Sequence, residues 1–209
     1  MKQKLQQYMI SNDFNRLCSF ALAIIFTLFF MANLKAAQSG GYKISVMLLM
    51  FFNGLLVYLL LTRNKPKNVS FAWQDLVATF LGTFFMLLAR GVENTPEILP
   101  LQLIGGVGFV FSIIGLMTLR KSFGLLPADR GVVKHGIYKV VRHPIYAGYL
   151  VNYSCFLAQN YSSWNVIVFA VFIIFEGYRI VREEKLLSKN PEYVDYMQQT
   201  KWRILPKIW

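Results

Sequence analysis

Cysteine and histidine are scarce in this chain, at two residues each in 209. Cys18 and Cys155 each lie inside an apolar run, with no CxxC pair and no histidine cluster nearby. That excludes a disulfide framework and a zinc site and leaves both as ordinary packing residues. Charge is also sparse, at 15% of residues, and acidic side chains are the scarcer kind: ten Asp and Glu against 22 Lys and Arg, for a formal net charge of +12. No internal repeat or low-complexity tract is visible, so an inverted-repeat transporter gains no support.

What is present in excess is apolar. Hydrophobic residues make up 56% and aromatics 16%, and the mean hydropathy is +0.44, too apolar for a soluble domain with a polar surface. These residues are clumped into runs at residues 17–34, 44–61, 71–89 and 101–119, each about a full membrane span. Two shorter runs, 145–158 and 164–178, are separated by only five residues and read as a tight helical hairpin. The reading is an all-α integral membrane protein of about six transmembrane helices, or five if the last hairpin does not cross. The polar stretch before Leu17 is long for a signal-peptide n-region and no small-residue cleavage site follows the first run, so that run is expected to be a retained helix.

The basic residues sit in the short loops, which points to topology rather than to nucleic acid. Counted by alternate loops, Lys and Arg number three, three, six and seven on one side and two, one and none on the other. By the positive-inside rule this predicts both termini in the cytoplasm.

Two stretches carry chemistry. In KSFGLLPADRGVVKHGIYKVVRHPIYAGY (Lys121 to Tyr149), Pro144 suits the first position of a helix. His143 then stands at the helix entrance, where free N–H groups favour an anionic group such as a cofactor carboxylate. At the cytoplasmic end of the last apolar run, Arg179 lies four residues before Glu183 and three after Glu176, so the three share a helix face carrying both signs of charge. Each residue has an ordinary reading when taken alone. His-Pro is a frequent helix start, Arg179, Arg182 and Lys185 suit membrane-surface anchors, and Tyr138, Tyr146 and Tyr149 suit an interfacial aromatic belt. His135 reads as a surface residue, and Arg90 with Glu93 as a solvated loop pair. In the tail, Pro191 is expected to separate two helices, with a short helix over 192–199 and Trp202, Ile204, Leu205, Ile208 and Trp209 as anchors at headgroup depth.

Taken in order, GVVKHGIYKVVRHPIYAGY, a helical hairpin, REEKLL and PEYVDYMQQTKWRILP resemble the C-terminal region of the isoprenylcysteine carboxyl methyltransferase family and its bacterial relatives, with phospholipid methyltransferases as a related branch. The resemblance covers about Lys121 to Trp209, and the RHPxYxG element (Arg142, His143, Pro144, Tyr146, Gly148) with the downstream Glu183-Glu184 pair carries it. Gly136-Ile137-Tyr138 departs from the Gly-Pro-Tyr of many bacterial members but keeps the tyrosine.

The resemblance implies an S-adenosylmethionine-dependent methyltransferase in a bacterial inner membrane, acting on a lipophilic or lipid-anchored acceptor such as an isoprenylcysteine-like carboxylate. It assigns Arg130, Gly131, Val132, Val133, Tyr138, His143, Pro144, Ile145, Tyr146 and Glu183 to the cofactor, with Arg142, Gly148 and Glu184 as additional candidates, and Arg179 to acceptor orientation. Residues 1–119 are then expected to form an acceptor-access region of four helices and residues 120–209 a methyltransferase core with a cytoplasmic cofactor region. Membrane lipid is the expected surrounding partner, with no nucleic acid and no metal. Two other readings belong to different classes: a membrane reductase of the sterol reductase type, and a non-catalytic lipid-binding membrane protein.

Overall fold

The computed structural model describes residues 11–40, 44–93, 95–96 and 98–209. The polar N-terminal stretch with Lys2 and Lys4, and the loop residue Lys43, lie outside the described residues. Among the described residues there are seven α-helices: α1 Asn12–Gly40, α2 Ile44–Thr62, α3 Trp73–Phe84, α4 Leu99–Leu119, α5 Pro144–Gln159, α6 Ser163–Leu187 and α7 Pro191–Gln199. A 3-10 turn, Phe85–Leu88, extends α3, and two strands of two residues each are the only strands among the described residues. The chain is an all-α integral membrane protein.

Every apolar run of the sequence is helical. Among the described residues four helices are long and apolar enough to cross a bilayer: 13–39, 44–62, 99–122 and 163–187. The run 71–89 forms a shorter apolar helix, Trp73–Leu88, and α5 has 16 residues. Helix α6 outruns its apolar run: it has 25 residues, Ser163–Leu187, and carries Arg179, Arg182, Glu183 and Glu184 in helical backbone, as the shared helix face of Glu176, Arg179 and Glu183 requires. Helical geometry is indifferent to the change from apolar to charged side chains, so hydropathy marks where the lipid ends and not where the helix ends.

The chain divides into two compact units, the first comprising Met1–Val69, Leu119–Gly124 and Asp129–Gly131, the second Ser70–Thr118, Leu125–Ala128 and Val132–Trp209. In the first unit α1 packs along α2, burying Ala23, Phe26 and Ala37 with Phe52, Leu56, Leu59 and Leu60. Leu17, Phe20, Ile24, Leu28 and Met31 recur at helical spacing on the outer face of α1 and are more than half exposed, as lipid-facing side chains must be. Polar side chains in this helix satisfy themselves locally: Ser19, Thr27 and Asn33 each donate to the carbonyl four residues back at 2.8 Å.

In the second unit α3 and α6 run antiparallel, since Arg182 near the end of α6 bonds Asp75 at the start of α3 while Trp164 at the start of α6 donates to Leu88 O at 2.8 Å. Helices α4 and α5 meet through a stripe of small residues. Gly105 stands against Asn152 and Cys155, Gly108 against Val151, Gly115 against Ile145, and Gly148 against Ser112 and the Gly108 carbonyl. Such residues let helix backbones approach where lipid removes any hydrophobic drive for association. Ser112 Oγ donates to Ile145 O at 3.0 Å across the contact and Asn152 Nδ2 to Gly105 O at 3.0 Å.

Candidate functional site

Helix α5 starts at Pro144, where the missing N–H costs nothing, with His143 as the residue before it. The chain enters this helix through a backbone pairing with the tail: Arg142 N donates to Trp202 O at 2.9 Å and His143 N to Arg203 O at 2.8 Å. The side chains repeat the connection. Glu184 Oε1 receives Arg142 Nε at 2.7 Å and faces His143 Nε2 at 3.1 Å, while its Oε2 receives Arg203 Nε at 2.8 Å. Arg142 also donates to the carbonyls of Thr200 and Lys201, at 2.7 and 2.8 Å. Arg142, His143 and Glu184 are all buried, and the charges are mutually compensated, as buried ions have to be.

One residue earlier on α6 the environment changes. Successive helical residues point about 100° apart, so Glu183 leaves this cluster and its Oε2 accepts the Tyr146 hydroxyl at 3.1 Å, with the side chain only half-buried. Tyr146 joins three groups. Its ring stacks on His143 with centroids 5.6 Å apart, and the Arg179 guanidinium lies over it at 5.2 Å. Arg179 Nη1 donates to Glu176 Oε1 at 2.6 Å and to Thr83 Oγ1 at 3.3 Å, and its Nη2 to Leu125 O at 3.0 Å. His143, Tyr146, Glu183, Arg179 and Glu176 therefore form one connected cluster.

The turn 136–139 is fixed from the tail. Tyr196 on α7 donates its hydroxyl to Tyr138 O at 2.7 Å. Burial, with Glu183 nearby, pushes the Tyr138 phenol well above its ordinary range, so it stays protonated at any physiological pH. Helix α7 is itself set by Asn190, whose side chain accepts from Glu192 N, and by Pro191 at its first position. Val132 and Val133 are half-buried and His135 is exposed. Arg90 lies over the Trp164 ring at 5.2 Å.

Arg130 and Gly131 belong to the first unit. Arg130 is buried, and its guanidinium donates to Asn64 O and to Asn15 Oδ1. Burial and the neighbouring Arg63 lower it to about 9, still cationic at neutral pH. Gly131 holds a backbone φ of +105°, a conformation that side-chain-bearing residues rarely adopt, and its N–H donates to Asp129 Oδ1 at 3.1 Å.

Residues 107–189 match the family model described as isoprenylcysteine carboxyl methyltransferase (ICMT). That segment belongs to the ICMT family. The match bears out the resemblance and supports a membrane methyltransferase; the matched segment begins in the middle of α4 and ends just after α6. Its start takes in the contact of Gly108, Ser112 and Gly115 with α5. No curated protein matches the chain.

Sequence reasoning missed several members of the cluster. Asp75 holds Arg182 with both carboxylate oxygens, at 2.6 and 2.9 Å, and accepts the Ser70 hydroxyl. An acidic residue inside an apolar run was a legible signal for it. Thr83, the Leu125 carbonyl, Thr200 and Arg203 had no such signal, because their roles depend on which backbone faces them.

Proposed function

We propose that this protein transfers a methyl group from S-adenosylmethionine to a lipophilic acceptor, with His143, Tyr146 and Glu183 at the cofactor and Arg179 and Glu176 toward the acceptor. The observation that carries this reading is the chain of contacts His143–Tyr146–Glu183, which puts a half-buried carboxylate beside an aromatic ring at the start of α5. The donor set suits the group. A nucleoside sulfonium is cationic and rich in hydroxyls, and this cluster offers carboxylate oxygen and aromatic rings. Among the described residues no group of His, Cys, Asp and Glu has metal-site geometry.

When bound, the cofactor supplies an activated methyl on a cationic sulfur. The chain's own residues bind and orient: Glu183 takes hydroxyl or ammonium donors, and the free N–H groups at the start of α5 suit a carboxylate. Tyr146, fixed by Glu183 and by Arg179, separates the cofactor groups from the acceptor groups. Alignment is the main task, since a cation and a nucleophile held in line in a water-poor pocket need little further assistance.

The loop charges support a cytoplasmic position for this cluster and for both termini, in a bacterial inner membrane, with residues 120–209 as the transfer core and the helices of residues 1–119 shaping acceptor access. Thr83 of α3 on Arg179 supports the access role. The test is calorimetric titration of purified protein in detergent with S-adenosylmethionine and with NADPH. Binding of the first only, abolished in Glu183→Ala and His143→Ala while both variants keep their fold, is the expected result. Affinity for NADPH instead, or full S-adenosylmethionine affinity in both variants, removes the assignment.

A further inference from the structure

Among the described residues, two buried side-chain atoms of the second unit have no hydrogen-bond partner: Glu176 Oε2 and Thr79 Oγ1. Glu176 is 5% exposed and Thr79 9%. They sit on facing helices, and Gly82, one turn beyond Thr79 on α3, packs so tightly that a Cβ there would stand 2.8 Å from Glu176 Oε1. A carboxylate oxygen kept from water and left unbonded is costly, and folds retain such an atom where something else completes it.

The bonded half of this carboxylate bears on the acceptor. Glu176 Oε1 takes Arg179 Nη1 at 2.6 Å, and the same guanidinium donates to Thr83 Oγ1 and to the Leu125 carbonyl. The cation expected to orient an acceptor carboxylate is thus already neutralised by an internal anion. A carboxylate acceptor would meet Glu176 as a like charge, with a paired arginine to offset it. An amine presents the opposite case. It arrives as an ammonium with several N–H donors, enough for both Glu176 Oε2 and Thr79 Oγ1, whereas a thiol has one proton to offer. Glu183 and His143 lie within electrostatic range of Glu176, as do Tyr149 and Tyr153, so this carboxylate borders the cluster assigned to the cofactor.

We infer that Glu176 is a catalytic residue for an amine acceptor carried on a long alkyl or lipid chain, its free Oε2 binding the ammonium beside Thr79 and then taking its proton. The inference rests on the methyl-donor reading above. In the step, one N–H bond breaks and its proton passes to Glu176, leaving a lone pair on nitrogen. The N–C bond then forms as the sulfonium's S–C bond breaks, with that electron pair remaining on sulfur. The products are an N-methylammonium, a neutral thioether and protonated Glu176, so charge is conserved, and the proton later leaves to water.

The test uses the full chain in detergent, with dodecylamine and dodecanoate as probes of equal chain length, titrated first without any methyl donor. Wild-type protein is expected to bind dodecylamine at least tenfold more tightly than dodecanoate. Glu176→Gln should lose that preference while keeping S-adenosylmethionine affinity within twofold, and Thr79→Val should weaken amine binding two- to fivefold. With labelled methyl donor, dodecylamine should become labelled, and dodecanoate and dodecanethiol should not. Equal or tighter dodecanoate binding by wild type, an amine preference retained in a folded Glu176→Gln, or labelling of the thiol or carboxylate in place of the amine overturns the inference. Should Glu176→Gln fail to fold, Thr79→Val decides, and an unchanged amine affinity there counts against it. Amine preference in a protein that binds no S-adenosylmethionine would support the amine site and overturn the methyl-donor reading alone.

Discussion

Arg142 and Glu184, 42 residues apart in sequence, form an ion pair at 2.7 Å with each side chain only 7% exposed. The pair joins the start of α5 to the end of α6, and through Arg203 and the carbonyls of residues 200 and 201 it holds the tail as well.

Removing one member strands the others. Glu184→Ala leaves Arg142 and His143 buried without their anion, and a broken buried pair costs about 3–5 kcal/mol. The expected outcome is a large fall in the thermal midpoint in detergent, with the tail becoming cleavable by trypsin at Lys201 or Arg203. A midpoint equal to wild type would show that the cluster does not hold the tail.

Asp75→Ala tests a pair that differs in one respect. Asp75 is buried, but its partner Arg182 keeps 29% of its side chain exposed and can rehydrate once released. The loss should be about 1–2 kcal/mol, below that of Glu184→Ala in the same melting experiment.

Tyr146→Phe removes one hydroxyl and nothing else. Its bond to Glu183 is charge-assisted, a type worth about 1.5–3 kcal/mol. S-adenosylmethionine affinity should weaken by about tenfold or more, with a fall in melting midpoint smaller than that of Glu184→Ala, and isothermal titration would read both the affinity loss and its enthalpic origin. Unchanged affinity would show that Glu183 needs no positioning by this ring.

Gly148→Ala places a methyl group onto Ser112 Oγ and the Gly108 carbonyl, where the first is a short side chain and the second is backbone. Neither can give way without separating α4 from α5, and overpacking of this kind costs about 1–3 kcal/mol or more. Gly106→Ala, on the facing helix α4 with nothing within 4 Å of its added Cβ, is the control. Comparing detergent-extracted yield and midpoint for the two checks the stripe, and equal behaviour would count against it.

Arg63→Gln should leave stability unchanged or raise it slightly. Arg63 donates to Ser19 Oγ at 3.0 Å, but it also adds a like charge near buried Arg130, and one neutral-acceptor bond is worth only about 1 kcal/mol. A fall in the midpoint equivalent to more than about 2 kcal/mol would show that the Ser19 bond outweighs the repulsion.

The sequence reading found the apolar helices because lipid imposes a length and a hydropathy on each of them, and both are local properties. It found the Pro144 helix start and the Asn190-Pro191 break for the same reason, since proline's fixed φ and missing N–H act within one turn. Hydropathy ends the apolar run at Tyr178 while α6 continues to Leu187, because hydropathy registers the solvent around a helix and is silent on its backbone. In the cluster, the resemblance assigned Tyr146 and Glu183 each to the cofactor, and the structure brings them together. Glu184 carries the heavier structural role of the two acidic neighbours, which follows from a 100° turn of the helix and from where the tail returns.

By itself, then, the order of residues determined that the chain is helical, that it lives in lipid, and where each apolar helix lies, since these depend on side chains within a few turns of one another. Which of Glu183 and Glu184 faces a tyrosine and which an arginine was decided by the tertiary structure alone. Those pairings span 37 to 42 residues for Tyr146 and Arg142 and 107 for Asp75 with Arg182. Only the packing of whole helices, set by glycines at their contacts and by the return of the tail, brings such distant groups within bonding distance.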